Sequence, residues 1–106
     1  MLIELGDVTL RATAEWGMWA GWKGIITDSE GRRYWRDDHY TSWQSAGRRA
    51  RARLDEFRKE IHACNGCGMP LSRIWALVDE TTIEGDLDTL VFYCSQSCWN
   101  RVLLEP

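Results

Sequence analysis

Cys64-Asn65-Gly66-Cys67-Gly68 and Phe92-Tyr93-Cys94-Ser95-Gln96-Ser97-Cys98 carry all four cysteines of the chain. They form two close pairs, Cys64-x2-Cys67 and Cys94-x3-Cys98, separated by 26 residues. Each pair is short enough to bring two sulfurs onto one ion, and two such pairs complete the tetrahedral four-thiolate shell of a structural zinc. Gly66 and Gly68 let the first turn bend and aim amide hydrogens at sulfur. The second pair falls where a β-rich run meets the start of a helix, with Cys94 before the helix and Cys98 in its first turn. The free amides there favour thiolate charge. The expected cofactor is therefore one structural Zn2+ on Cys64, Cys67, Cys94 and Cys98. His62, two residues before Cys64, is an alternative ligand in place of one thiolate.

The same residues resemble the treble-clef zinc fingers of the FCS, MYM and TRASH type. That pattern runs Cys-x2-Cys-Gly and then Phe-Cys-Ser-x2-Cys-x3-Phe, and one large-subunit ribosomal protein family shares it. The resemblance covers residues 64–103 and leaves the first 63 unassigned. By position it makes Cys64, Cys67, Cys94 and Cys98 the ligands, with Gly68 and Ser95 as supporting residues. Tyr93 replaces the usual Phe, and Val102 stands where the final aromatic would be. Fingers of this type bind RNA, DNA or proteins, so the resemblance implies a binding module without choosing the partner.

Other uses of the cysteines fit less well. Disulfides belong to secreted chains, and a thioredoxin-like Cys-x2-Cys needs a βαβ setting that this sequence lacks. A catalytic zinc keeps an open position, which four thiolates do not leave. The chain has no His-Glu-x2-His, no His-x-Glu ahead of a Pro-Cys-x2-Cys, and no Gly-rich phosphate loop. Both histidines, His39 and His62, precede the first cysteine pair, whereas a treble-clef nuclease needs them after it. These absences predict a protein that is not an enzyme.

Outward from the cysteines, Arg73 to Asp79 and Asp88 to Tyr93 read as a hairpin around Gly85-Asp86, followed by a short helix from about Ser95 that turns Cys98, Val102 and Leu103 inward. Upstream, Thr41-Ser42-Trp43-Gln44 has the form of a capping box on Thr41. Trp43, Ala46, Ala50, Leu54, Phe57 and Ile61 then recur at steps of three and four, a stripe along a helix running to about His62. Before it, Leu2 to Leu5 and the alternating Val8, Leu10, Ala12 and Ala14 read as one hairpin around Gly6-Asp7. Gly24 to Thr27 and Arg32 to Arg36 read as a second around Asp28-Ser29-Glu30-Gly31. The expected fold is α+β: a small antiparallel sheet with one amphipathic helix, ββββα, over residues 1–63, then a four-cysteine treble-clef module over 64–106, the two packed together.

Charge divides the chain at the same place. Residues 1–63 carry eleven Lys/Arg against ten Asp/Glu, and residues 64–106 carry two against six. Four thiolates on a zinc ion add two negative charges, which brings the second part to about −6. With a net charge of −3 over 106 residues, the chain is not a uniformly polyanion-binding surface. The opening residues lack the basic stretch and apolar run of a signal peptide, and no segment has the 18 or so apolar residues of a membrane span. The expectation is a soluble, cytoplasmic protein. Eleven of the thirteen basic residues are Arg and seven residues are Trp. Both types have GC-rich codons, which suggests a high-GC bacterium or one of its phages.

Two stretches invite binding. In Trp16-Gly17-Met18-Trp19-Ala20-Gly21-Trp22, the candidate partner-binding residues are Trp19, Trp16 and Trp22, indoles flanked by small residues; strand alternation puts Trp16, Met18 and Trp22 on one face, whose default place is the core, and leaves Trp19 as the exposed anchor for a protein partner. Arg32, Tyr34 and Arg36 alternate onto one strand face and, with Arg48 and Arg49 of the helix, form the alternative, a nucleic-acid surface. The default for the helix arginines, Arg48, Arg49, Arg51 and Arg53, is a solvated face. The leading expectation is a small regulator or inhibitor that binds a protein, in the host cytoplasm if phage-encoded. The alternative is a nucleic-acid-binding regulator.

Overall fold

The computed structural model describes residues 2–4, 10–19, 21–60, 62–71, 77–83 and 87–104. Its strands are β1 (Leu2–Glu4), β2 (Arg11–Gly17), β3 (Gly21–Thr27), β4 (Arg33–Tyr40), β5 (His62–Ala63), β6 (Pro70–Leu71), β7 (Leu77–Asp79) and β8 (Phe92–Tyr93). The helices are α1 (Trp43–Lys59) and α2 (Gln96–Leu104). Three antiparallel sheets result, β2-β3-β4, β1-β7-β8 and the two-stranded β5-β6. The fold is thus α+β, with the four cysteines near its C-terminal end.

The expected first hairpin does not form. β1 pairs with β7, Leu2 opposite Asp79 and Ile3 opposite Val78, and β2 pairs with β3 instead. Val8 and the expected turn at Gly6-Asp7 lie outside the described residues. Alternation marks a strand but does not choose its neighbour, and Ile3 finds its apolar surroundings beside Val78 and Phe92 in the core.

The second hairpin forms as expected, around a turn built on Asp28. Its Oδ1 accepts the Glu30 and Arg32 amides at 2.8 and 2.9 Å, while Oδ2 accepts the Tyr34 hydroxyl at 2.9 Å and the Arg32 guanidinium at 3.1 Å. β4 carries one residue more than β3 at two places. Ile26 faces Trp35 while Thr27 faces Arg33, so Tyr34 is the extra residue of a bulge. A second bulge lies between the Trp22–Tyr40 and Gly24–Asp37 pairs and holds His39 at φ +71°. The first bulge breaks the alternation, and Tyr34 and Trp35 are both buried.

α1 lies on one face of β2-β3-β4. Ala46, Ala50, Leu54 and Phe57 are buried along it, and contact is so close at Gly24 that a Cβ there would sit 2.5 Å from the Ala46 carbonyl oxygen. Ser42, not Thr41, caps the helix, its Oγ accepting the Ser45 amide at 3.2 Å. Trp43 departs from the expected stripe and is 57% exposed. The helix ends at Lys59, and Ile61 lies outside the described residues. Arg53 is buried rather than solvated, its guanidinium 3.2 Å from Glu60 and 3.8 Å from Glu56.

Beyond the helix, β7 and β8 pair as expected, although β8 covers only Phe92–Tyr93 and Leu87–Thr89 is a 3-10 turn. Arg73 to Ala76 and Gly85-Asp86 lie outside the described residues. α2 buries Cys98, half-buries Val102 and leaves Leu103 exposed, against the inward position expected for it. Phe57 of α1, His62 and Phe92 join the elements: His62 stacks on Phe92 with ring centroids 4.1 Å apart and lies 5.1 Å from Phe57.

Burial pushes the Asp28 carboxyl up, but the Arg32 amide, the Tyr34 hydroxyl, the Arg32 guanidinium and the Glu30 amide outweigh it and hold its pKa below 3.8. A depressed native pKa stabilises the fold above the unfolded value, and the contribution disappears as pH falls through the native value. Asp28→Ala should cost about 3 kcal/mol in denaturant unfolding at neutral pH, because it strands the Tyr34 hydroxyl and the turn amides. Asp28→Asn should flatten the loss of stability that the parent chain shows below about pH 4.

Candidate metal centre

The first cysteine pair sits in a tight turn closed by the β5-β6 ladder. The Cys64 amide donates to the Met69 carbonyl at 2.9 Å and the Gly68 amide to the Cys64 carbonyl at 2.8 Å, with Gly68 in the left-handed region at φ +77°. This turn is tied to β8 through the Asn65 amide, 2.8 Å from the Phe92 carbonyl, and the Asn65 side-chain amide, 3.2 Å from the Tyr93 hydroxyl. Those bonds set Cys64 against the end of β8, where Cys94 begins the second pair.

Ser95 opens α2. Its Oγ accepts the Cys98 amide at 3.2 Å and its carbonyl accepts the Trp99 amide at 3.3 Å, which holds Cys98 in the first turn. Trp99 anchors the helix to β7 by donating Nε1–H to Asp79 Oδ2 at 3.2 Å. Against Asp79's burial, the Thr81 hydroxyl and amide and the Trp99 indole keep its carboxyl below the usual range, so the anchor is charge-assisted. Gly66 faces Cys98 so closely that a Cβ on it would lie 2.8 Å from the Cys98 Cβ.

The four sulfurs converge. Cys67 and Cys94 Sγ are 3.6 Å apart, Cys94 and Cys98 Sγ 3.4 Å, and all four lie within 4.8 Å of one another. Zn–S bonds of about 2.3 Å in a tetrahedron put sulfurs about 3.8 Å apart, so the cluster has the size of a metal shell. The surroundings also favour thiolate. Burial pushes the Cys64 thiol up, but the amides of Cys67, Cys94 and Gly66 overcome this and bring it down to about 6. Two of these amides, Gly66 and Cys94, lie 3.3 Å from its Sγ. Cys94 is pushed up to about 12, first by its hydrogen bond with Cys98 and then by burial. Adjacent thiols share protons when one ionises, and a cation among them would displace those protons. Arg101, one turn beyond Cys98, donates Nη2–H to its Sγ at 3.4 Å. These residues could hold one metal ion on Cys64, Cys67, Cys94 and Cys98.

His62 is not part of this group among the described residues. It stacks on Phe92, its Nε2 lies 3.8 Å from Glu60, and burial lowers its pKa. Its role is to fill the junction between α1 and β8.

The other candidate residues are scattered. Trp19 is 92% exposed at the β2–β3 tip, next to Met18 at 80% and Trp16 at 60%. Trp16 and Met18 are therefore not core residues; Trp16 rests edge-on against the half-buried Trp22, ring centroids 5.3 Å apart. Tyr34 is fully buried rather than displayed with Arg32 and Arg36, because the bulge turns it inward to Asp28. Arg32 precedes β4 and is paired with Asp28. Arg36 is exposed, 3.6 Å from Asp38. Arg49 lies over the Trp35 ring at 5.4 Å, while Arg48 is exposed on α1.

The register reveals a set that alternation alone did not mark. Arg11 pairs with Thr27 and Thr27 with Arg33, Glu15 pairs with Lys23, and Ile25 pairs with Arg36. These positions alternate with Ala14 and Gly24, which face α1. They make up the sheet face away from the helix, where Arg33 also bonds Glu15 at 3.0 Å. Arg101, three residues after Cys98, was legible as a helical neighbour of a ligand and was missed.

The fold and the site define a small α+β protein with a four-cysteine metal-binding cluster. No family model, curated protein or solved structure matches the chain. Substituting Gly66→Ala should force α2 away from the Cys64 turn and weaken metal binding about 10- to 100-fold. Titration with cobalt(II), followed by its thiolate charge-transfer absorption, measures the change.

Proposed function

We propose that the chain is a small non-enzymatic protein whose cysteine cluster holds one structural zinc ion and whose work is to bind another protein through the β2–β3 tip. The observation that carries this reading is the tip itself. Trp16, Met18 and Trp19 stand in solvent together, where burial of such side chains on a partner stabilises a complex most. Aromatic residues and Met are the types enriched in the cores of protein interfaces.

Four soft thiolates suit zinc and fill its tetrahedral shell, which leaves no open position for a substrate. The resemblance of residues 64–103 to treble-clef fingers of the FCS, MYM and TRASH type supports a binding module. The acidic second half favours a basic surface on the partner. The Arg- and Trp-rich composition fits a high-GC bacterium or phage, and in that setting the role is a cytoplasmic regulator or inhibitor of a host complex. No helix among the described residues is long and apolar enough to cross a membrane.

A second reading has its own support. Arg11, Lys23, Arg33 and Arg36 lie on the sheet face away from α1, and small sheets backed by a helix can enter a nucleic-acid groove. Under this reading, duplex DNA should bind with an affinity that falls steeply as salt rises.

Elemental analysis of untagged protein should find one zinc per chain, and a strong chelator should abolish the circular dichroism of the folded state. Absence of zinc, or a chelator without effect, would contradict the metal assignment. Trp19→Ala should leave unfolding stability within about 0.5 kcal/mol of the parent, because the side chain supports nothing in the fold. It should weaken cross-linked capture of the protein partner by about 2 kcal/mol or more. Capture that is nuclease-sensitive and unaffected by the substitution favours the second reading.

A further inference from the structure

β2 is the outer strand of its sheet. Among the described residues it pairs with β3 alone, so every second residue along it turns an N–H and a C=O outward with no strand to receive them. Beside that edge runs a groove of about 400 Å³ between β2 and the first half of α1. Ala12 and Ala14 line it from the strand, and Trp43, Gly47, Arg48 and Arg51 from the helix. Thr13 lines it too, although its side chain alternates to the other face. The groove therefore follows β2 over Ala12, Thr13 and Ala14.

Its walls have a definite character. Ala14 and Gly47 are small, and a Cβ on Gly47 would still stand 4.0 Å from that of Ala14, so backbone can approach closely. The lining holds two guanidinium groups and no carboxylate. Arg48 and Arg51 are exposed and make no ion pair among the described residues. Spaced three apart, they project from one flank of the helix.

We propose that this groove takes an acidic, extended segment of a partner protein, which adds to β2 as a fourth strand. The inference rests on the protein-binding reading above and specifies the partner's chemistry at a second place. Main-chain bonds to the β2 edge supply the pairing, and alternate side chains enter the groove. Those side chains recur about every 6.6 Å along a strand. Trp43, Arg48 and Arg51 follow one another along the helix axis at about 7.5 and 4.5 Å. The segment that fits is apolar-x-acidic-x-acidic, the apolar residue over Trp43 and the carboxylates against Arg48 and Arg51. A nucleic-acid strand would meet the arginines but would leave the β2 amides and carbonyls without ladder partners.

The test uses the full zinc-loaded chain, labelled with nitrogen-15, and a probe hexapeptide of sequence Leu-Thr-Glu-Thr-Glu-Thr, blocked at both ends, together with its reverse. At millimolar peptide, amide shifts should appear in residues 11–17 and 43–51, and the β2 amides should exchange more slowly. The double variant R48E/R51E, altered only at exposed positions, should keep the parent's spectral dispersion and bind about tenfold more weakly. A probe with Lys in place of Glu should not bind. Trp19→Ala should bind as the parent does, since the tip lies off the groove.

No shifts, shifts confined to the tip or the cysteine cluster, or equal binding of the Lys probe would overturn the proposal. So would β2 shifts that grow with protein concentration and no peptide, which would give the edge to a second copy of this chain. Displacement of the peptide by oligothymidylate with a higher affinity would give the groove to nucleic acid. A silent groove together with capture that still depends on Trp19 overturns this inference and leaves the tip reading standing.

Discussion

Convergence of the four cysteine sulfurs is the constraint on which the C-terminal architecture depends. The elements that deliver them are small: a tight turn closed by a two-residue ladder, the end of a two-residue strand, and the first turn of a nine-residue helix. Elements of that size are marginal in water by themselves. Their hydrogen bonds point at the sulfurs or at one another, as the Gly66 and Cys94 amides do on the Cys64 sulfur and the Cys98 amide does on the Ser95 hydroxyl. A zinc ion held by the cluster would supply the energy that these elements lack, because binding to a site absent from the unfolded chain is folding free energy.

The ends of the sequence are tied through the same region. β1 joins the sheet of β7 and β8, and β8 leads directly into Cys94. Phe92, His62 and Phe57 carry the packing onward into α1 and the β2-β3-β4 sheet. Loosening the cysteine cluster would therefore reach the core that holds α1. The β2–β3 tip, the outer edge of β2 and the helix-free sheet face all lie on the β2-β3-β4 sheet, which packs on α1 and shares one core with the cysteine region.

Legibility followed the range of the interaction. Each cysteine pair is local, and its glycines and Ser95 are within a few residues, so the site was plain in the sequence. The α1 stripe and the Asp28 turn were legible for the same reason. The partner of β1 was not, since Leu2 meets Asp79 far along the chain and any apolar strand edge could have served. Tyr34 was misplaced by one inserted residue: a bulge shifts the parity of everything beyond it, and composition does not announce bulges. Trp16 and Met18 were assigned to the core because aromatic strands usually face it. The sheet ends at Gly17–Gly21, however, and leaves them in solvent. The choice of Ser42 over Thr41 as cap turned on one residue between two hydroxyls.

The central claim is that a zinc ion bound by four sulfurs, with no histidine, organises this protein. X-ray absorption at the zinc edge of the purified chain measures this directly. Four-thiolate ligation predicts a single shell of four sulfurs at about 2.3 Å. A shell that includes nitrogen or oxygen at about 2.0–2.1 Å would place His62 or water on the metal and contradict the claim.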